Sequence, residues 1–119
     1  MRHLRVALAG NPNTGKTTIF NNLTGGRQKV GNYPGVTVEK KSGWIQRGDC
    51  ELELVDLPGV YSLDASSLDQ QVARDYLLRE KPDVIVNVLD ASNLERSLYL
   101  ATQLLELDVP MVLAINMCD

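Results

Sequence analysis

The chain has 119 residues, 44% of them apolar and 23% charged, with a formal net charge of −3. That composition suits one globular domain with a sizeable core and excludes a disordered segment, while the acidic balance leaves no basic footprint, so nucleic acid is not an expected partner. No run reaches the ~18 consecutive apolar residues of a membrane helix, and Cys50 and Cys118, without CxxC spacing or a paired histidine, read as reduced thiols rather than a disulfide or metal site.

The opening MRHLRVALAG looks like a first strand rather than a signal peptide: LRVALA (Leu4 to Ala9) is a short buried-strand pattern ending in a Gly-rich turn. A helix follows over roughly Lys16 to Leu23. GGRQKVGNYPGVTV, rich in Gly and polar residues, reads as an exposed mobile loop. VEKKSGWIQ and CELELVD are expected to pair as a hairpin across Arg47-Gly48-Asp49, with Trp44 a packing residue. SSLDQQVARDYLLREK carries Leu68, Val72, Tyr76 and Leu77 at helical spacing and is closed by Pro82. VIVNVLD (Val84 to Asp90) is a second buried strand. LERSLYLATQLLELD predicts a helix with Leu94, Leu98, Ala101 and Leu105 on its apolar stripe, and PMVLAIN a last strand. Strands alternating with helices predict a three-layer α/β fold: a mostly parallel sheet covered on both faces, with one antiparallel strand from the hairpin. Ligands of such sheets bind at the carboxyl ends of the strands, and each polar motif of this chain follows a predicted strand.

The first motif is GNPNTGKT, Gly10 to Thr17, a full match to GxxxxGK(S/T) between strand and helix. Glycines let the backbone wrap so that successive N–H groups meet phosphate oxygens, and the helix adds its positive end. The nucleotide-binding set here is Asn11, Asn13, Thr14, Gly15, Lys16, Thr17 and Thr18. Lys16 supplies a point charge to the β- and γ-phosphates, and Thr17 a hydroxyl for Mg2+. In DLPG, Asp56 to Gly59, the carboxylate can hold Mg2+ through its water shell while the Gly59 N–H reaches a γ-phosphate. In NYPGVTVE, Gly35, Val36 and Thr37 form the next candidate contact. There the Thr37 hydroxyl meets Mg2+ and its N–H the γ-phosphate, ordering the loop in the triphosphate state. The terminal NMCD offers Asp119 as a double acceptor for the N1–H and exocyclic amine of guanine, a donor pair that adenine lacks. Asn116 would tie this segment to the phosphate loop, and Met117, unbranched and polarisable, would lie along the base where a Lys is usual.

Together these four motifs resemble the Ras-like P-loop G domains of the translation-factor-related GTPases. GNPNTGKTTIFNNLTG, VGNYPGVTVEKKSG, VDLPGVYSL, DASNLERSLYLATQLLEL and the Asn-Met-x-Asp ending are similar to the N-terminal G domain of the ferrous-iron transport protein B family, over essentially the whole chain. The resemblance implies GTP and GDP as ligands, Mg2+ and K+ as cofactors, and a GTP-hydrolysing switch on the cytoplasmic face of the bacterial inner membrane. A helical dissociation-inhibitor-like domain and a membrane region of a Fe2+ transporter would follow it. It implies potassium-stimulated hydrolysis, with Asn13 and the carbonyls of Gly31 and Tyr33 around the ion, which would neutralise charge as an arginine finger does. The residues named for catalysis are Lys16, Thr37, Gly59 and Asn13. Val60 stands where Ras-like switches place a water-orienting Gln and can neither donate nor accept. Slow intrinsic hydrolysis is therefore expected, with Asp64 or Asp69 as candidate helpers and Arg27 a solvated loop charge.

The family pattern continues into a further strand, a Ser/Ala-rich loop and a closing helix. The expectation is therefore one G domain over residues 1–119, incomplete at its C-terminal end, with PMVLAIN as an exposed apolar edge. The isolated chain would be destabilised, bind nucleotide weakly or self-associate. Two other readings stand beside this one: a soluble GTPase of tRNA modification or ribosome assembly, and a nucleotide-sensing module whose hydrolysis is incidental.

Overall fold

A computed structural model describes residues 2–117. In chain order the elements are β1 (Arg2–Gly10), α1 (Lys16–Thr24), β2 (Gln28–Asn32), β3 (Glu39–Arg47), β4 (Cys50–Asp56), α2 (Leu68–Glu80), β5 (Val84–Asp90), a 3-10 turn (Ala91–Asn93), α3 (Leu94–Leu105) and β6 (Met111–Asn116). They build a sheet in the order β2-β3-β4-β1-β5-β6. β1 runs parallel to β4 and β5, and β5 parallel to β6, while β3 opposes both β2 and β4. One strand of the sheet therefore runs against the rest, as the hairpin requires.

Period-two alternation splits β1 between two cores. Val6 and Leu8 join Phe20 of α1, Leu54 and Val88 on one face. Ala7 and Ala9 join Val55, Ile85, the α2 residues Val72, Ala73, Tyr76 and Leu77, and the α3 residues Leu100 and Leu104 on the other. The result is three layers, and the strand ends that follow β1, β4 and β6 point to one rim.

Two expectations need correction. GGRQKVGNYPGVTV is not loop throughout: Gln28–Asn32 forms the edge strand β2, laddered to β3. Its Val30 is exposed, so no buried face marks it in the sequence. In α3 the buried stripe is Ser97, Leu100, Ala101 and Leu104. Of the stripe expected there only Ala101 is buried; Leu94, Leu98 and Leu105 face solvent, as does Leu68 at the start of α2. The hairpin forms as expected, with Gly48 taking a φ of 57° between paired Arg47 and Cys50. α2 starts with a full capping box, Ser67 accepting from the Gln70 N–H and the Gln70 side chain reaching back.

Candidate functional site

β1 ends on Gly10 because nothing larger fits: a Cβ there would stand 2.9 Å from the Val88 carbonyl oxygen. The chain then turns through Asn13 (φ 65°) and Gly15 (φ 82°) and enters α1 at Lys16. Gly15 caps the helix without a side-chain acceptor, so the first N–H groups of α1 are presented to a ligand. Thr14 braces the turn, donating to the Asn11 carbonyl at 3.1 Å. A cleft of about 450 Å3 lies over this turn, lined by Asn11, Pro12, Asn13, Gly15, Lys16, Thr17, Thr18 and Gly59.

DLPG closes one side of the cleft. The Leu57 N–H donates to the Leu8 carbonyl at 3.0 Å and the Val60 N–H to the Gly10 carbonyl at 3.1 Å, which lays the segment along the end of β1. Gly59 packs so closely that a Cβ would be 3.0 Å from Pro12 Cα. Lys16 Nζ donates to Asp56 Oδ1 and to the Leu57 carbonyl at 2.7 Å. Both charged side chains are buried, and each supplies the partner that the other's burial requires. On the other side, Asn116 Nδ2 donates to the Thr14 carbonyl at 3.0 Å, which joins the end of β6 to the phosphate loop. Asp119 and Cys118 lie outside the described residues; Met117 is exposed.

The segment between β2 and β3 stands apart. Gly35 and Thr37 are exposed and Val36 half-buried, none of them lining the cleft. Tyr33 points into the core: its hydroxyl donates to the Asp56 carbonyl at 3.3 Å, and its ring meets Tyr76 edge-on at 6.2 Å. Burial raises the phenol pKa of both tyrosines above the ordinary value, with Tyr76 adding to the shift of Tyr33. Val60, after the DLPG glycine, is likewise a core residue. Arg27 and Asp69 are exposed, and Asp64 is engaged by α3 through Gln103 and Tyr99.

Whether a divalent ion fits is a matter of donor chemistry. Thr17 offers a hydroxyl in the cleft and Asp56 a carboxylate beside Lys16, hard oxygens of the kind Mg2+ takes alongside phosphate oxygens. Among the described residues no cluster of three or more His, Cys, Asp or Glu could hold a metal by itself. The K+ set fits less well. Asn13 lines the cleft, whereas the Tyr33 carbonyl accepts the Val36 N–H at 3.3 Å and Gly31 pairs with Lys40 inside the β2–β3 ladder.

Sequence reasoning missed the contacts that α3 makes with the residues after DLPG, through Arg96, Tyr99 and Gln103. Their spacing of three and four residues on one helix flank is the signal that was there to be found.

A family model described as ferrous iron transport protein B matches residues 4–119. The Fe(2+) transporter FeoB of Escherichia coli (strain K12) is 55% identical over 123 aligned residues, covering 100% of this chain and 16% of that protein. The G domain of the T. maritima FeoB iron transporter superposes with a TM-score of 0.92 at 50% identity, covering 96% of this chain and 72% of that one. A point mutant of S. thermophilus NFeoB bound to GDP gives 0.88 at 55% identity, over 94% of this chain and 44% of that one. The architecture is thus the P-loop GTPase fold of those G domains, and the chain spans about 16% of the length of the curated relatives it matches.

Proposed function

This chain belongs to the ferrous iron transport protein B family, and on that premise we propose that it is a GTP-binding and GTP-hydrolysing switch, the G domain of a bacterial Fe2+ transporter. The observation that carries the reading is one cleft lined by Lys16 and Gly59, with Asp56 bonded to Lys16 and Asn116 to Thr14. These contacts support a site in which the segments expected to meet phosphate, metal and base lie together.

In this reading the α1 N-terminus and the phosphate-loop N–H groups hold the phosphates, and Lys16 exchanges Asp56 for the β- and γ-phosphate oxygens. Asp56, released, faces the metal side with Thr17. Thr17 and Asp56 would hold Mg2+, which would supply charge neutralisation for the phosphates. The Gly59 N–H reads the γ-phosphate, and Thr37 joins it when the β2–β3 segment closes. Gly35 and Val36 accompany Thr37, while Asn11, Asn13, Thr14 and Thr18 complete the phosphate contacts. Asp119 selects guanine, with Met117 along the base. The buried Val60 leaves the water to be oriented by other groups, so intrinsic turnover is slow. Of the K+ positions Asn13 alone faces the cleft, and it is the one we assign to potassium stimulation. The parent protein would carry this domain on the cytoplasmic face of the inner membrane, joined to helical and membrane domains. No helix among the described residues is long and apolar enough to cross a membrane.

Calorimetric titration with GTP, GDP and ATP tests the base assignment: GTP and GDP bind, ATP does not, and Asp119→Asn abolishes the preference. Equal affinities for ATP and GTP in the parent would overturn it. The burial of Val60 favours a second reading, a nucleotide sensor with incidental hydrolysis. Equal turnover in KCl and NaCl, near the uncatalysed rate, would support that sensor; faster turnover in KCl supports the switch.

A further inference from the structure

The residues after Gly59 have no helix or strand of their own until α2 begins at Leu68. Something else must fix them. Val60 is rooted on the phosphate loop through the Gly10 carbonyl, and of the next four residues Tyr61, Leu63 and Asp64 are held from the side by α3, while Ser62 accepts from Gln70 of α2. The Arg96 guanidinium carbon lies 4.1 Å from the centroid of the Tyr61 ring. Gln103 uses both ends of its amide: Oε1 accepts the Leu63 N–H at 2.7 Å, and Nε2 donates to Asp64 Oδ1 at 2.9 Å. The Tyr99 hydroxyl donates to Asp64 Oδ2 at 3.4 Å. Arg96 also reaches the phosphate loop, its carbonyl accepting from Asn11 Nδ2 at 3.4 Å.

Arg96, Tyr99 and Gln103 recur at three and four residues, so they occupy one flank of α3, beside the Ser97, Leu100, Ala101 and Leu104 face that packs on the sheet. A helix docked through that face is a fixed reference. A single Gln side chain that both accepts from the backbone and donates to a side chain fixes a loop in position and in orientation. The flank therefore sets where residues 61–64 stand, and through the continuous chain where the Gly59 N–H points.

We propose that this flank of α3 is a positioning device for the GTPase reaction, with Gln103 and Arg96 as positioning residues that hold the segment bearing Gly59 in register with the terminal phosphate. The proposal rests on the GTPase reading above. A diphosphate has no group for Gly59 to meet, so the device acts on turnover and leaves GDP affinity largely unchanged.

The test is a reciprocal exchange. Gln103→Glu keeps the acceptor for the Leu63 N–H but sets a second carboxylate against Asp64; adding Asp64→Asn restores a donor–acceptor pair in the reverse sense. Expected for the single variant is amide exchange at Leu63 and Asp64 faster by about tenfold, the scale of one lost hydrogen bond. Alongside it, kcat falls several-fold while GDP affinity stays within about twofold of the parent. The double variant returns exchange at Leu63 and Asp64 to parent values. Arg96→Ala, which keeps the backbone carbonyl used by Asn11, gives the same kcat-against-affinity split independently, and Tyr61→Phe, which keeps the ring, behaves as the parent. Unchanged exchange and kcat in Gln103→Glu and Arg96→Ala, or faster exchange with kcat intact, overturns the proposal, as does a folded double variant whose exchange stays fast. A parent that binds no guanine nucleotide overturns the GTPase reading instead, and the exchange measurements still decide whether α3 holds the segment.

Discussion

Lys16 and Asp56 show how two charges are kept buried at the rim of a fold. Each is a charged side chain buried at the rim of the sheet, and each is acceptable there because the other neutralises it, with the Leu57 carbonyl taking a second lysine proton. Removing one partner leaves the other charge buried alone. Asp56→Ala and Lys16→Met are each expected to destabilise the chain by up to ~3–5 kcal/mol, whereas the double variant costs far less than their sum. Denaturant unfolding of the three variants checks this, and additive losses would show that the two charges do not depend on each other. The same pair bears on ligand binding. A phosphate that takes Lys16 must leave Asp56 another cation, so tight triphosphate binding and divalent-ion binding should be coupled through these two residues.

Among the elements, β3 and α1 are joined at a point where only glycine fits. A Cβ on Gly43 would lie 2.3 Å from Thr24 Cγ2 and 3.0 Å from the Arg27 carbonyl oxygen. Thr24 cannot swing aside freely, because its hydroxyl donates to the Phe20 carbonyl and accepts from Gln28 Nε2. Gly43→Ala is therefore expected to cost ~1–3 kcal/mol by overpacking, read as a lowered thermal midpoint. A midpoint equal to the parent's would mean that α1 shifts without cost. The elements also show what a sequence reveals. β1 and β5 were legible as short apolar runs, and β4 as an alternating partner across the Arg47-Gly48-Asp49 turn. β2 was not, because an edge strand with an exposed Val30 has no buried face to display. α3 was legible as a helix but not in its orientation: Leu94, Leu98 and Leu105 form as good a stripe as Leu100 and Leu104, and only the docking partner separates them. The phosphate loop and DLPG could be read because each is a contiguous stretch fixed by its own strand. The grip of Gln103 on Leu63 could not, since it joins residues forty positions apart.

For the molecule as a whole, that misread stripe has a consequence. α3 offers three surfaces: the core face, the flank that holds residues 61–64, and the opposite flank carrying Leu94, Leu98 and Leu105, the last 63% exposed. β6 is an edge strand next to β5, the strand on which α3 packs. Met111, Leu113 and Ile115 alternate onto one face of β6. Met111 packs against the cluster that holds Leu100 and Leu104, which places that face on the α3 side, and Ile115 is 66% exposed. An apolar helix flank and an apolar strand face thus share one side of the sheet, at the edge strand of the described residues. Burying such a surface is worth roughly 25 cal/mol per Å2, and an edge strand is a ready template for pairing with another chain. The expected outcome is concentration-dependent self-association of this chain through β6, seen by sedimentation velocity. Leu113→Lys with Ile115→Lys should shift it strongly towards monomer, while Val30→Lys on the opposite edge should leave it unchanged. A chain that sediments as a monomer across the accessible concentration range would show that the apolar side is tolerated by itself. Equal effects from Val30→Lys would move the interface to β2.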